Sequence, residues 1–438
     1  MRLRTADREL LRLAVPAFGA LIAEPLYVAT DTAIIGHLGT TSLGGLAIAS
    51  SVLFFTYGLC IFLAYGTTAS ISRLVGAGHS QRAAIQAIQG LWLAVFIGLS
   101  IALLGTLFAD DLLHALGAKN QVLEEAATYL KISLLGAPAM LITLAGVGYL
   151  RGLSDAMRPL QVSIGTALFN LGLELILIYG LDLGIGASAT ATVIAQWLGA
   201  ICYLNWIGRE VRKEAITLKP ELLALRNLMS ISINLIIRNL CLTSTFLIGT
   251  SVATRIGDTD VAAHQVALQM WVVLALALDG IAIAAQTMVG TALGANKATQ
   301  ARHIGQRALI WSTGLGIALG GILFFCRHAS ALLFSTDPAV ISLIKFLFIH
   351  VALMAPLSGI AFALDGILIG AGDQKFIGKA MAITALISIG TMIVGRIGSL
   401  GIGWLWGSIW ILVLIRSVSL GIRFLGNRWV VLGVELRN

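Results

Sequence analysis

Long apolar runs separated by short polar breaks follow one another along the chain. A membrane-spanning helix needs about 20 mostly apolar residues, and the pattern predicts twelve such spans and hence an all-helical membrane protein. The predicted spans lie near residues 11–37, 43–69, 84–109, 126–150, 159–181, 186–207, 227–254, 261–290, 304–326, 340–369, 376–397 and 401–424.

The most polar stretch lies between the sixth and seventh spans, at residues 208–226. It predicts two six-helix lobes, an N-terminal one over 1–207 and a C-terminal one over 227–438, joined by a cytoplasmic linker. The second lobe is expected to end in a short cytoplasmic tail.

The two halves of the chain repeat each other. Equivalent residues of the two copies are always separated by the same number of positions, as Gly39 and Gly257 are. Each copy holds six spans, so both enter the membrane from the same side, and we expect a parallel repeat with its pseudo-twofold axis along the membrane normal. Such an architecture favours alternating access by rocking of the lobes. The other pairs with the same offset are Gly76 and Gly294, Pro138 and Pro356, Gly152 and Gly370, and Asp155 and Asp373.

Composition and charge agree with a membrane protein. Only 11% of the residues are charged, whereas a soluble domain carries about 25%, so lipid must cover the surface. The net charge of +8 could indicate a nucleic-acid partner. However, 22 of the 29 basic residues fall on one side of the predicted spans and six on the other. The positive-inside rule therefore explains the charge, excludes nucleic acid, and predicts a bacterial inner-membrane protein with both termini in the cytoplasm.

Charged residues inside the predicted spans are candidates for function, because each costs about 2.5–3.5 kcal/mol at mid-membrane. None of them has a charged counterpart at the equivalent position of the other copy, which indicates that the lobes have different roles. In the first lobe they are Glu24, Asp31 and Glu174, and in the second Arg238, Asp279 and Asp365.

The acidic residues of the first lobe predict an ion-coupling pocket. Asn170 and Glu174 are four residues apart and share a helix face, and Glu24 and Asp31 share a face of the first span, which Pro25 should bend. Desolvation and a neighbouring acid favour the protonated carboxyl, so this pocket could exchange a proton. The same oxygens could instead bind sodium, or Asn170 and Glu174 could form a purely structural hydrogen bond.

The remaining candidates concern substrate contact or gating. Tyr27 lies between the two acids of the first span, and Arg238 needs a carboxylate partner, for which Asp279 and Asp365 are available. A structural ion pair is an equal alternative for Arg238. We interpret it as the only basic residue inside a span, which disfavours a lipid-linked precursor flippase with a cationic cavity.

No phosphate-binding glycine loop with lysine, metal-ligand cluster or nucleophile motif is present in the sequence. We therefore expect no enzyme activity and no cofactor other than a coupling ion, a proton or sodium. A membrane-embedded enzyme, the other alternative, would need such a cluster at a membrane face.

Residues 24–39, EPLYVATDTAIIGHLG, resemble the opening of the multidrug and toxic compound extrusion (MATE) family, in its DinF-like branch. Further resemblance lies in AAHQ at 262–265, in ALDGIAIAAQ at 277–286, in residues 170–174 and in residues 364–366. The resemblance runs from the first to the twelfth span.

The resemblance implies a V-shaped, two-lobe antiporter that exports small cationic or amphiphilic compounds, here expected to be a monomer among membrane lipids. Asp31 and Asn170 match residues of the branch, and Glu174 stands where relatives usually have aspartate. Leu242 stands where sodium-coupled relatives carry glutamate, which favours protons. The alternative function is a lipid-linked precursor flippase of a related fold.

Overall fold

The computed structural model describes residues 3–181, 183–214 and 216–434, and the regular structure of this part of the chain is helical throughout. One π-helical turn, Ile176–Gly180, follows α8. The α-helices are α1 (Leu3–Gly36), α2 (Thr40–Cys60), α3 (Phe62–Gly76), α4 (Ser80–Leu107), α5 (Ala109–Ala115), α6 (Asn120–Leu134), α7 (Ala137–Gly152), α8 (Met157–Leu175), α9 (Ile185–Lys213), α10 (Leu222–Ile256), α11 (Asp258–Gly294), α12 (Ala298–Leu332), α13 (Pro338–Gly370), α14 (Gln374–Ile397) and α15 (Ile402–Leu425).

The helices confirm the predicted membrane architecture. Eleven helical segments are long and apolar enough to cross a membrane, with α2 and α3 forming one of them. The bent pair α6 and α7, which meet at an angle of 48°, completes the set of twelve spans. Each predicted span coincides with one of these segments. The short helix α5 was not predicted, because seven residues are too few to give a clear periodic pattern.

The predicted linker is too long. Helix α9 continues to Lys213 and α10 already begins at Leu222, so much of the predicted 208–226 segment is helical. Hydropathy marks where the chain leaves the apolar layer, whereas a helix can continue into water. The basic residues Arg212 and Lys213 in the last turn of α9 support that continuation, because cations stabilise a helix C-terminus.

The remaining connection is held against α4. The side-chain amide of Gln89 donates to the carbonyl of Lys219 at 3.2 Å and accepts from the backbone N–H of Glu221 at 2.9 Å. Trp92 donates from Nε1 to the carbonyl of Leu218 at 2.8 Å. These side chains satisfy backbone groups that no helix pairs in this segment.

The chain divides into two compact units that differ from the predicted lobes at their ends. One comprises Gly19–Ser232, and the other comprises Met1–Phe18 together with Ile233–Asn438. The start of α1 groups with the second unit because Asp7 accepts hydrogen bonds from Arg307 at 2.7 and 2.8 Å and from Trp311 at 3.0 Å. We call these the first unit and the second unit below.

The internal repeat is visible in how helices cross within each unit. Gly98 of α4 lies against α7, where a Cβ would come within 2.5 Å of the Cα of Pro138. In the second unit Gly316 of α12 lies against α13, where a Cβ would come within 2.9 Å of the Cα of Pro356. Both glycines allow a close helix crossing, so the internal repeat preserves a packing arrangement as well as a sequence pattern.

Candidate functional site

A buried carboxylate forms the centre of a polar pocket in the first unit. Asp31 of α1 is only 4% exposed. Its Oδ2 atom accepts a hydrogen bond from the hydroxyl of Tyr129 on α6 at 3.3 Å, and its Oδ1 atom accepts one from the hydroxyl of Ser188 on α9. Three helices thus meet at one carboxylate.

A second carboxyl lies beside the first. Glu174 of α8 is 1% exposed, and its side chain is within hydrogen-bonding reach of Asp31 and Ser188. Its Oε1 atom accepts no hydrogen bond from the residues that the structure describes. Helix α8 ends one residue later and continues as the π-helical turn, a local widening that is frequent at functional sites.

Thr192 on α9 connects the other polar groups of the pocket. Its Oγ1 atom accepts a hydrogen bond from Nδ2 of Asn170 at 3.1 Å and shares one of 2.9 Å with the hydroxyl of Tyr27. The Oδ1 atom of Asn170, like Oε1 of Glu174, has no donor among the described residues. Two helices, α1 and α8, are therefore joined through one hydroxyl of α9.

The pocket has an unusual charge balance. The described contacts of Asp31 and Glu174 include carboxyl and hydroxyl groups but neither lysine nor arginine. Two ionised carboxylates that lie side by side and are buried away from water are costly. The pair becomes stable when it holds a proton or when a cation binds between the oxygens. This geometry can therefore bind and release a single positive charge.

A second buried cluster, of the opposite kind, lies in the second unit. Asp365 of α13 accepts hydrogen bonds at Oδ2 from Nε of Arg238 on α10 at 2.8 Å and from a terminal nitrogen of Arg416 on α15 at 2.5 Å. Arg238 also donates to Oδ1 of Asn239 at 2.7 Å. Asp279, which is half-buried on α11, interacts electrostatically with Arg416.

Known proteins share both the sequence pattern and the arrangement of helices. A profile of the MatE family matches residues 16–176 and again residues 235–394, once in each half of the chain. The chain belongs to the MatE family. It is 30% identical to DNA damage-inducible protein F of Escherichia coli strain K12, over 95% of this chain and 92% of that protein. It is 29% identical to Protein DETOXIFICATION 44, chloroplastic, of Arabidopsis thaliana, over 96% of this chain and 82% of that protein.

Solved structures with the same fold agree with this assignment. A MATE protein in the bent conformation matches with a TM-score of 0.88 at 22% identity, over 97% of this chain and 95% of that one. A MOP superfamily transporter from Pyrococcus furiosus matches with a TM-score of 0.85 at 22% identity, over 97% and 95% of the two chains. This MatE protein is therefore a multi-pass membrane transporter of the efflux type and not an enzyme.

The structure brings together most of the residues that the sequence predicted for the first unit. Asp31, Asn170 and Glu174 line one pocket, and Tyr27 joins it through Thr192. Glu24 makes no hydrogen bond or ion pair with a described residue, but its carboxyl acts electrostatically on the hydroxyl of Tyr27. Helix α1 runs without interruption through the predicted bend.

Sequence reasoning missed the hydroxyl groups of the pocket. Ser188 and Thr192 are four residues apart on α9, and this spacing of small polar residues could have indicated a polar face. Tyr129 carried no signal, because an isolated tyrosine in an apolar helix is usual near the ends of a span.

In the second unit, Arg238 is paired with Asp365, one of its two candidate partners. The prediction that Arg238 is the only basic residue inside a span is wrong. Arg416 lies within α15, is 5% exposed and shares the same carboxylate oxygen. Arg416 lies inside the predicted span 401–424 but was not singled out, because a single arginine does not interrupt an apolar run.

Proposed function

We propose that this MatE protein is a secondary antiporter that exports small cationic or amphiphilic organic compounds in exchange for protons, by alternating access. Membership of an efflux transporter family supports export. The observation that supports proton coupling is the buried pair of Asp31 and Glu174, which has no basic partner among its described contacts.

Within this pair we assign different roles to the two acids. Asp31 receives hydrogen bonds from two hydroxyl groups, those of Tyr129 and Ser188, which stabilise a carboxylate. Glu174 has an oxygen that no described donor reaches. Glu174 therefore takes up and releases the proton while Asp31 holds the negative charge.

The proton is linked to the shape of α1 in this proposal. Helix α1 carries Asp31 and is tied to α8 and α9 through Tyr27 and Thr192. It also carries Pro25, which lacks a backbone donor and so weakens the helix at that point. Protonation of the pair loosens its contacts and bends α1. A MATE protein of this fold has been solved in a bent and in a straight conformation, which supports such a movement.

Sodium is the alternative coupling ion. The Oε1 atom of Glu174 and the Oδ1 atom of Asn170, which accept no hydrogen bond from a described residue, could bind a cation. Each oxygen of Asp31, however, already accepts a hydrogen bond, which leaves fewer lone pairs for the full oxygen shell that a metal cation prefers. A proton needs only one of them.

Reconstituted liposomes test the coupling ion. An imposed pH gradient without sodium should drive a fluorescent organic cation across the membrane, and a sodium gradient at constant pH should not. Transport on the sodium gradient alone, with none on the pH gradient, would show that sodium is the coupling ion.

A lipid-linked precursor flippase is less well supported. It would need arginines that are available to a pyrophosphate, whereas Arg238 and Arg416 are buried and share the carboxylate of Asp365.

We further propose that the antiporter is a monomer of the bacterial cytoplasmic membrane. Both termini lie in the cytoplasm, as the distribution of its basic residues predicts.

A further inference from the structure

A cavity of about 220 Å³ opens at one end of the first unit, where α7 and α9 end and α8 begins. This end lies on the side of the spans that carries most of the basic residues. The cavity is separate from the pocket around Asp31. Its lining residues are Tyr149, Leu150, Leu153, Arg158, Trp206, Arg209 and Glu210.

Two arginine side chains line the cavity, and only one of them has partners among the described residues. Arg158 lies over the ring of Trp206, 5.5 Å from its centre, and its Nε atom is 3.3 Å from the carboxylate of Asp155. Arg209 is exposed and makes no hydrogen bond or ion pair with any residue in the described part of the chain. One arginine is thus held in position, and the other is available to a ligand.

The single acid of the cavity is already compensated. Glu210 pairs with Lys213 at 3.1 Å. The cavity therefore keeps a positive charge from Arg209, although it contains a carboxylate. Leu150, Leu153 and Trp206 contribute apolar side chains to its lining. Arginine and tryptophan are the side chains that anchor proteins at the level of lipid headgroups.

The second unit shows what the repeat places at the position equivalent to this cavity. At the offset of the repeat, Arg158 and Trp206 correspond to Phe376 and Phe424. Phe424 stacks on Trp429 with ring centres 5.3 Å apart, and Trp429 is fully buried. The second unit packs aromatic rings at this position, and its arginine there, Arg423, lies over Phe376 and is paired with Asp373. Each unit therefore has one arginine here that is paired and stacked, so Arg209, which has no partner among the described residues, needs a different explanation.

We propose that this cavity binds the phosphate group of an anionic phospholipid, with Arg209 and Arg158 as its ligands and Trp206 against the glycerol region. Arginine matches the geometry of phosphate oxygens through paired N–H donors. Basic pockets between membrane helices commonly bind such headgroups. A soluble phosphate ester offers the same chemistry, so the experiment must separate the two sources.

The test uses the full chain purified in a neutral detergent. Native mass spectrometry would count bound phosphatidylglycerol and phosphatidylcholine with identical acyl chains, with and without an excess of glycerol 3-phosphate. We expect one preferred phosphatidylglycerol that the soluble ester does not displace. Arg209→Gln should weaken its binding about fivefold, since one basic residue contributes about that much at an anionic surface.

Arg82→Gln is the matched control, because Arg82 is exposed, lies on the same side of the same unit and is outside the cavity. This variant should bind phosphatidylglycerol as the wild type does. Equal binding of the two lipids, or equal weakening by the two substitutions, would overturn the proposal in favour of diffuse attraction. Displacement by glycerol 3-phosphate would overturn the lipid as the source and assign the cavity to soluble phosphate esters.

Discussion

The first and second units share a helical framework but differ where the first has its carboxyl pair. At the offset of the repeat, Asp31 and Glu174 correspond to Gly249 and Met392. Met392 is fully buried, and a Cβ on Gly249 would lie 3.8 Å from its terminal methyl. An apolar side chain in the second unit thus occupies the place of the acids in the first.

The reverse also holds for the ion cluster of the second unit. Its members have apolar counterparts in the first unit: Arg238 corresponds to Ala20, Asp365 to Val147 and Arg416 to Leu198. A carboxylate between two arginines keeps its charge, because both cations favour the ionised form. A carboxyl pair without a cation can change its charge. Under the proposed function, the first unit therefore couples to the ion and the second is a fixed framework.

The largest expected effect comes from removing the carboxylate of the first unit. Asp31→Asn keeps the shape and the hydrogen-bond acceptor but cannot hold a negative charge, so efflux driven by a pH gradient should fall to background in liposomes. Asp111→Asn, at an exposed acid of α5, should leave efflux unchanged. Wild-type efflux by Asp31→Asn would remove the basis for assigning the coupling to this unit.

Glu174 offers a finer test of the same pocket. Glu174→Gln cannot exchange a proton, so we expect it to abolish transport on a pH gradient. Glu174→Asp keeps the exchangeable group on a shorter arm and should transport at a reduced rate. Measuring initial rates against external pH would separate the two variants. If Glu174→Gln retained the pH profile of the wild type, the proton site would have to be elsewhere.

In the second unit the expected effect is on stability. Asp365→Asn leaves Arg238 and Arg416 buried without their carboxylate and should lower the free energy of unfolding by about 3–5 kcal/mol. Arg238→Met should cost less, because the pair of Asp365 and Arg416 remains. Thermal unfolding in detergent would measure both changes.

Combining substitutions tests whether the three residues form one network. The triple variant with Arg238→Met, Asp365→Leu and Arg416→Met should recover most of the stability that Asp365→Asn loses, because no charge remains buried. Losses that simply add would mean that the three residues act independently.

The smallest expected effect concerns the packing that both units share. Gly98→Ala and Gly316→Ala each place a methyl group against the backbone of a neighbouring helix and should destabilise the protein by about 1–3 kcal/mol, to a similar extent. Gly165→Ala, where nothing lies within 4 Å of the new methyl, should be neutral or slightly stabilising. A large difference between Gly98→Ala and Gly316→Ala would show that the repeated crossing is not equivalent in the two units.

The sequence by itself determined the twelve spans, the repeat and three members of the pocket. Hydropathy is a local property, so apolar runs identify the membrane segments without knowledge of their neighbours. A charge within a span is costly and can be recognised from the sequence alone, which pointed to Asp31 and Glu174, while helical spacing added Asn170.

Only the tertiary structure decided which hydroxyl groups serve the pocket. A serine or threonine in a helix usually satisfies its hydroxyl on a carbonyl of its own helix, as Thr190 does with Gly186 at 2.7 Å. Ser188 on the same helix instead reaches Asp31, 157 residues away in sequence. Pattern and spacing describe one helix at a time, whereas the choice of partner depends on the distance between helices that packing brings together.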